Sequence, residues 1–270
     1  MSQTRWLKYA GVGYLVALLQ WALLIFLPEP HVPGVLLTQS LMASPVLYSF
    51  LYLLVMGALW TMVAASYELF DLRLTGGRLA KTSVFTLGTG LLWLLYLVEP
   101  LPHQAALSLS LELLKGVLLF LTLRALLAAF VATKRYQHQR QPFIYGRALL
   151  VFTGAVFVFR VIAYLALDIY QFPSPFNAFN FLWALLLGLA YGIVFCLLQR
   201  FTRRQDKKGK FLQFTLLYTA PLIMLYHVQL GLRFEWAWWD LLCRGGLDLV
   251  AVGVATFLTL QWQIDEFVDA

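Results

Sequence analysis

Long apolar segments alternate with short polar connections along the 270-residue chain. Eight segments are long enough to cross a hydrocarbon core of about 30 Å as helices. The predicted helices cover residues 8–28, 46–67, 82–99, 105–132, 147–172, 179–199, 211–230 and 240–262. Strands of a transmembrane barrel would alternate apolar and polar positions, which these segments do not. The pattern therefore predicts an all-α, polytopic membrane protein with about eight transmembrane helices in a single transmembrane domain.

Composition supports the same class of protein. Hydrophobic residues make up 61% of the chain and charged residues 12%, and the mean hydropathy is +0.76. A soluble domain carries about 25% charged residues, so this chain could not cover its surface in water. The predicted surroundings are therefore a lipid bilayer. The formal net charge of +7 does not indicate a nucleic-acid partner, because basic loops are the usual orientation signal of membrane proteins.

The basic residues predict the orientation of the chain. Fifteen of the 20 Lys and Arg residues flank the predicted helices on one side. They are Arg5, Lys8, Arg73, Arg78, Lys81, Lys134, Arg135, Arg140, Arg147, Arg200, Arg203, Arg204, Lys207, Lys208 and Lys210. On the other side, only Arg233 lies in a connection. Since basic loops stay inside, both termini are predicted to be cytoplasmic, in a plasma or inner membrane.

Short matches between the two parts of the chain raise the question of an internal duplication. The third helix reads FTLGTGLLWLLYLVE and the seventh FTLLYTAPLIMLYHVQ, and FLTL recurs at 120–123 and 257–260. One interpretation is two parallel four-helix halves, residues 1–140 and 141–270, related by an axis along the membrane normal. The alternative is that a leucine-rich sequence produces such matches by chance.

Polar residues inside the predicted helices mark a candidate site. A charge at the bilayer centre costs at least about 2.5–3.5 kcal/mol, so each one needs a partner or water. The candidates all fall in the half of the bundle opposite the basic loops. They are Glu112, Lys115, Arg160, Tyr164, Asp168, His227, Arg244 and Asp248. We expect them to line a polar pocket open to the outside, where carboxylates bind a cation or proton and arginines an anionic group.

The spacing of these residues also allows a purely structural role. Glu112 and Lys115 are three residues apart, Arg244 and Asp248 are four apart, and Arg160 could pair with Asp168 through two turns. Each set lies on one helical face and could neutralise itself locally. Such pairs would hold the bundle in register and bind nothing, and the sequence leaves this alternative open.

Signatures of cofactor and metal chemistry are absent from the sequence. The sequence has no H-x-x-x-H or C-x-x-C pattern, no carboxylate–histidine pair at metal-ligand spacing, and no serine elbow, phosphate loop or dinucleotide fingerprint. We therefore expect no cofactor and no metal. Catalysis stays undecided, with a non-enzymatic function favoured.

Three functions are consistent with these features. The leading hypothesis is an integral membrane transport or translocation protein with a charged site in the extracytoplasmic half. The alternatives are a non-catalytic subunit or receptor-like scaffold of a larger complex, with partner subunits, and a membrane enzyme acting on a lipid-linked substrate. The loop at 200–210 carries six basic residues and is predicted to attract anionic lipids.

Overall fold

The computed structural model describes residues 3–27, 45–99, 109–134, 145–166, 178–204, 206–233 and 238–262. Within these ranges the chain is helical and contains no strand. We number the membrane-length helices α1 to α8. Their bounds are Gln3–Phe26 (α1), Pro45–Ser66 with a further turn at Glu68–Asp71 (α2), Arg78–Leu97 (α3), Leu109–Leu126 with a π-helical end at Leu127–Val131 (α4), Gly146–Leu165 (α5), Ala178–Leu198 with a 3₁₀ turn at Gln199–Phe201 (α6), Lys207–Arg233 (α7) and Trp238–Trp262 (α8).

The predicted class of protein is confirmed. All eight described helices are long and apolar enough to cross a membrane, which makes this a polytopic membrane protein. Most ends lie within four residues of the predicted ones. Helix α5 is described to Leu165, and the predicted continuation over 167–172 lies outside the described residues. Asp168 lies outside the described residues.

Contacts between helix ends place the described basic segments at one end of the bundle. Arg5 at the start of α1 bonds Glu68 after α2, at 3.2 Å between Nη1 and Oε1. Lys207 at the start of α7 bonds Gln261 at the end of α8, at 3.0 Å. This basic end therefore gathers the starts of odd-numbered helices and the ends of even-numbered ones. Its cytoplasmic orientation stays a prediction.

The helix contacts form two matching sets. In the first half, α1 packs on α2 and α4, and α3 packs on α4; in the second half, α5 packs on α6 and α8, and α7 packs on α8. Between the halves, α3 contacts α6, α7 contacts α2, and α3 contacts α7. Adding four to each helix number converts one set into the other.

The two central helices, α3 and α7, meet at matching tyrosines. Tyr96 and Tyr226 match in the L-x-x-L-Y-x-V part of the two FTL-containing segments, and their ring centroids are 4.8 Å apart. Tyr226 is one residue further from the FTL phenylalanine than Tyr96 is. A π-helical stretch in α7, Leu212–Thr219, accommodates the additional residue, because the wider turn takes one residue more than an α-turn.

Glycines allow the first two helices of each half to approach closely. A Cβ at Gly13 of α1 would lie 2.4 Å from the backbone nitrogen of Thr61 in α2. A Cβ at Gly188 of α6 would lie 2.7 Å from the Cα of Thr153 in α5. Membrane helices associate largely by such close packing, since lipid supplies no hydrophobic drive between them.

We expect Gly188→Val to destabilise the protein by about 1–3 kcal/mol, because α5 and α6 must separate to admit the side chain. The matched control is Gly154→Val on α5, where a Cβ would meet nothing within 4 Å and the position is exposed. Thermal unfolding of the detergent-solubilised variants measures the difference. Equal shifts for the two variants would contradict close packing at Gly188.

Candidate functional site

A buried arginine on α5 joins two carboxylates from two other helices. Arg160 shares the buried face of α5 with Phe152 and Val156, at spacings of four residues. Its Nη1 donates to Glu99 Oε1 at 2.7 Å, just after the end of α3. Its Nη2 donates to Asp248 Oδ2 at 2.5 Å, on α8. All three residues are buried, with exposed fractions of 0–3%. We call Arg160, Glu99 and Asp248 the ion triad.

Aromatic side chains enclose the ion triad. The hydroxyl of Tyr96 donates to Asp248 Oδ2 at 2.9 Å and lies 3.0 Å from the hydroxyl of Tyr191 on α6. The guanidinium carbon of Arg160 lies 4.6 Å from the ring centroid of Trp183, whose Nε1 donates to the carbonyl of Leu95 at 2.7 Å. Such a cation–π contact stabilises a cation that has been removed from water.

The ion triad carries one more negative than positive charge. Ionised Glu99 and Asp248 contribute two negative charges against the single positive charge of Arg160. A buried net charge is strongly unfavourable at low dielectric, so the triad favours uptake of a proton or another cation. Arg244, the nearby cation on α8, donates from Nε to Asp240 Oδ2 at 2.8 Å and also acts electrostatically on Glu99, so counting Arg244 together with Asp240 leaves the same excess of one negative charge.

His227 lies beside the ion triad with a nitrogen that can accept a proton. It is 4% exposed, and its ring centroid is 6.0 Å from that of Tyr96. Nδ1 is 2.9 Å from the carbonyl oxygen of Ile223, so Nδ1 carries the hydrogen. Nε2 is then a proton acceptor, with no hydrogen-bond partner among the described residues. The ring interacts electrostatically with both carboxylates of the triad.

A groove between α7 and α8 leads from the exposed face of the bundle to His227. It has a volume of about 270 Å³ and is otherwise lined mainly by apolar residues, among them Ile223, Met224, Leu242 and Trp238. Met224 and Leu242 are 49% and 65% exposed, which places the opening on the surface that lipid covers. The ring of His227 lies beside Gly245 of α8, where a Cβ would be in ordinary contact with Nδ1 at 3.5 Å.

Two of the predicted residues belong to a different group. Lys115 donates to Glu112 Oε1 at 2.9 Å within α4, as the three-residue spacing predicts. The second oxygen of Glu112 accepts from Arg233 Nη1 at 3.1 Å, at the end of α7. These side chains are also buried. This second group ties α4 to α7, as the ion triad ties α3, α5 and α8.

The structure corrects two expectations for the site. Asp248 pairs with Arg160 on another helix and not with Arg244, which pairs with Asp240. The described candidate residues are buried and divide between the ion triad with its neighbours and the group of Glu112, so they do not share one pocket, and His227 lines the groove between α7 and α8. Tyr164 is 3% exposed and packs its ring 6.1 Å from that of Phe181.

Sequence reasoning missed several members of the site. Glu99 stands at a helix end, where a charge has an ordinary explanation. Tyr96, Tyr191 and Trp183 lie within apolar helices as hydrophobic residues normally do, and only the matched tyrosine in the FTL-containing segments was a signal.

Among the described residues, no group of three or more His, Cys, Asp or Glu side chains could hold a metal ion. His31, His103 and His138 lie outside those residues. Comparison with protein-family models, with curated proteins and with solved structures finds no match, so the function has to be inferred from the side chains themselves.

Proposed function

We propose that this polytopic membrane protein is a transport or translocation protein whose ion triad, with His227, binds a proton or another cation. The observation that carries the proposal is the excess of carboxylate over guanidinium charge in a fully buried site. Charges at this depth are expensive, and in membrane proteins they commonly mark ion and proton pathways.

The position of the triad in the bundle supports the proposal. Glu99 comes from the first half of the chain, while Arg160 and Asp248 come from the second. The matching helix contacts support two parallel halves, near 1–140 and 141–270. In transporters built from repeats, substrate and ion sites lie at the interface of the repeats. A rocking motion between the halves would open the triad by separating Glu99 from Arg160. We further propose that both termini of the chain lie in the cytoplasm.

The test is ion binding by the purified protein, followed by ion movement in vesicles. In weakly buffered detergent solution, addition of Na⁺ or K⁺ is expected to release protons from the wild-type protein, because the two kinds of cation compete for one excess charge. In proteoliposomes containing a pH-sensitive dye, an imposed Na⁺ or K⁺ gradient is expected to change the internal pH faster than in protein-free vesicles. Absence of both signals would overturn the proposal.

A second function, a membrane enzyme acting on a lipid-linked substrate, is favoured by the groove between α7 and α8. The groove can hold an apolar chain beside the proton-accepting Nε2 of His227. This function predicts a chemically altered lipid in reconstituted vesicles, which ion transport does not. The remaining alternative, a non-catalytic subunit or scaffold, predicts co-purification of a stoichiometric partner.

A further inference from the structure

A second polar cavity lies at the basic end of the bundle, away from the ion triad. Its volume is about 540 Å³. Residues from the first four helices converge on it: Arg5 and Lys8 from α1, Glu68 and Asp71 from the turn after α2, Arg78 from α3, and Thr133 and Lys134 from the end of α4. We call it the basic cavity.

The two acids of the basic cavity are engaged by the protein. Glu68 Oε1 accepts from Arg5 at 3.2 Å. Asp71 Oδ1 accepts from the hydroxyl of Tyr67 at 2.8 Å and from the backbone N–H of Thr133 at 3.2 Å. Asp71 is also 5% exposed, so little of its carboxylate faces the cavity.

Cations therefore dominate the charge that a ligand would meet. Lys8, Arg78 and Lys134 are exposed and come from three different helices, and Arg5 adds a fourth cation beside Glu68. Buried Lys81, at 3.9 Å from Asp71 Oδ1, offsets the charge of that carboxylate. The positive-inside rule accounts for basic residues at this end, but it does not require them to surround one concave space.

We propose that the basic cavity binds a phosphate group, as a lipid headgroup or as a free phosphate. A phosphate presents several strong acceptor oxygens and at least one negative charge, which suits several ammonium and guanidinium donors arriving from separate helices. Phe130, which also lines the cavity, is 55% exposed on the apolar surface of α4. An acyl chain could pack there while its headgroup occupies the cavity. The site is distinct from the 200–210 loop, where the sequence predicts general attraction of anionic lipids.

The experiment measures lipid and phosphate binding by the full-length protein in detergent. Native mass spectrometry counts bound phosphatidylglycerol against phosphatidylcholine, and a thermal-unfolding titration with inorganic phosphate tests the free anion. The variant Lys8→Gln/Arg78→Gln removes two cations that line the cavity. The matched control, Arg73→Gln/Arg147→Gln, removes two cations at the same end of the bundle that lie outside the 200–210 loop and do not line the cavity.

We expect the cavity variant to bind phosphatidylglycerol about 25-fold more weakly than wild type, since each cation near an anionic surface contributes about fivefold. The control variant should keep the wild-type affinity. Stabilisation by inorganic phosphate that the cavity variant loses would identify a free phosphate as a ligand, whereas binding of the lipid alone would identify the headgroup. Equal weakening in both variants, or binding of neither phosphate nor lipid, would overturn the proposal.

Discussion

Replacing Arg160 with methionine is expected to destabilise the protein by about 3–5 kcal/mol, because it leaves two carboxylates buried without their cation. Glu99 and Asp248 both accept from this one guanidinium, and both are at most 3% exposed. Methionine keeps much of the volume, so the loss reports the charge and not a cavity.

The control for this prediction removes all three charges together. In the variant Arg160→Met/Glu99→Gln/Asp248→Asn all three charges of the triad are removed, so neither carboxylate is left as an uncompensated buried charge. The triple variant should therefore unfold at a higher temperature than Arg160→Met alone, although it carries more substitutions. Thermal unfolding in detergent, followed by size-exclusion chromatography, compares the two. If Arg160→Met is as stable as wild type, the carboxylates are not held by this arginine.

The helices could be predicted from the sequence because a membrane-spanning helix requires a continuous apolar segment of sufficient length. Each span must be long and apolar enough to cross the bilayer, and that requirement acts on every helix separately. It fixes the number and approximate ends of α1 to α8. It does not determine which helices pack against each other. The contacts of α3 with α6 and of α7 with α2 join helices that are far apart in the sequence.

The sequence predicted the depth of the site residues in the bundle but not which of them pair with each other. The reason is related. Spacing along one helix identifies pairs such as Glu112 with Lys115, which the structure confirms. The same rule gave Arg244 with Asp248, which is wrong, because the inward face of α8 presents Asp248 to the guanidinium of Arg160 on α5. A contact between helices depends on their rotation and relative height. The spacing of residues along one helix determines neither of these.

The basic cavity was missed for a different reason. The positive-inside rule already explains each of its basic residues, so nothing in the sequence indicated that they have a second role. The hydrogen bond from the backbone N–H of Thr133 to the carboxylate of Asp71 shows that the turn after α2 and the end of α4 meet there. Convergence in space is the observation that distinguishes a cavity from a set of basic loops.

Asp248→Asn should separate the function of the ion triad from its structural role. The amide oxygen of asparagine can still accept from Tyr96 and Arg160, so stability is expected to stay within about 1 kcal/mol of wild type. The excess negative charge is removed, and Glu99 alone then balances Arg160. Because a buried charge interaction contributes roughly 2–5 kcal/mol, the affinity for the competing proton or cation should fall at least about 30-fold.

The matched control is Asp240→Asn/Arg244→Gln, which removes both members of an ion pair on the same helix. It leaves the excess charge of the triad unchanged, because one acid and one base are removed together. We expect this variant to release protons on cation addition, and to move ions in proteoliposomes, as wild type does. Loss of both signals in Asp248→Asn with normal unfolding would assign ion binding to the triad. Ion movement that persists in Asp248→Asn would mean that the triad only holds α3, α5 and α8 together.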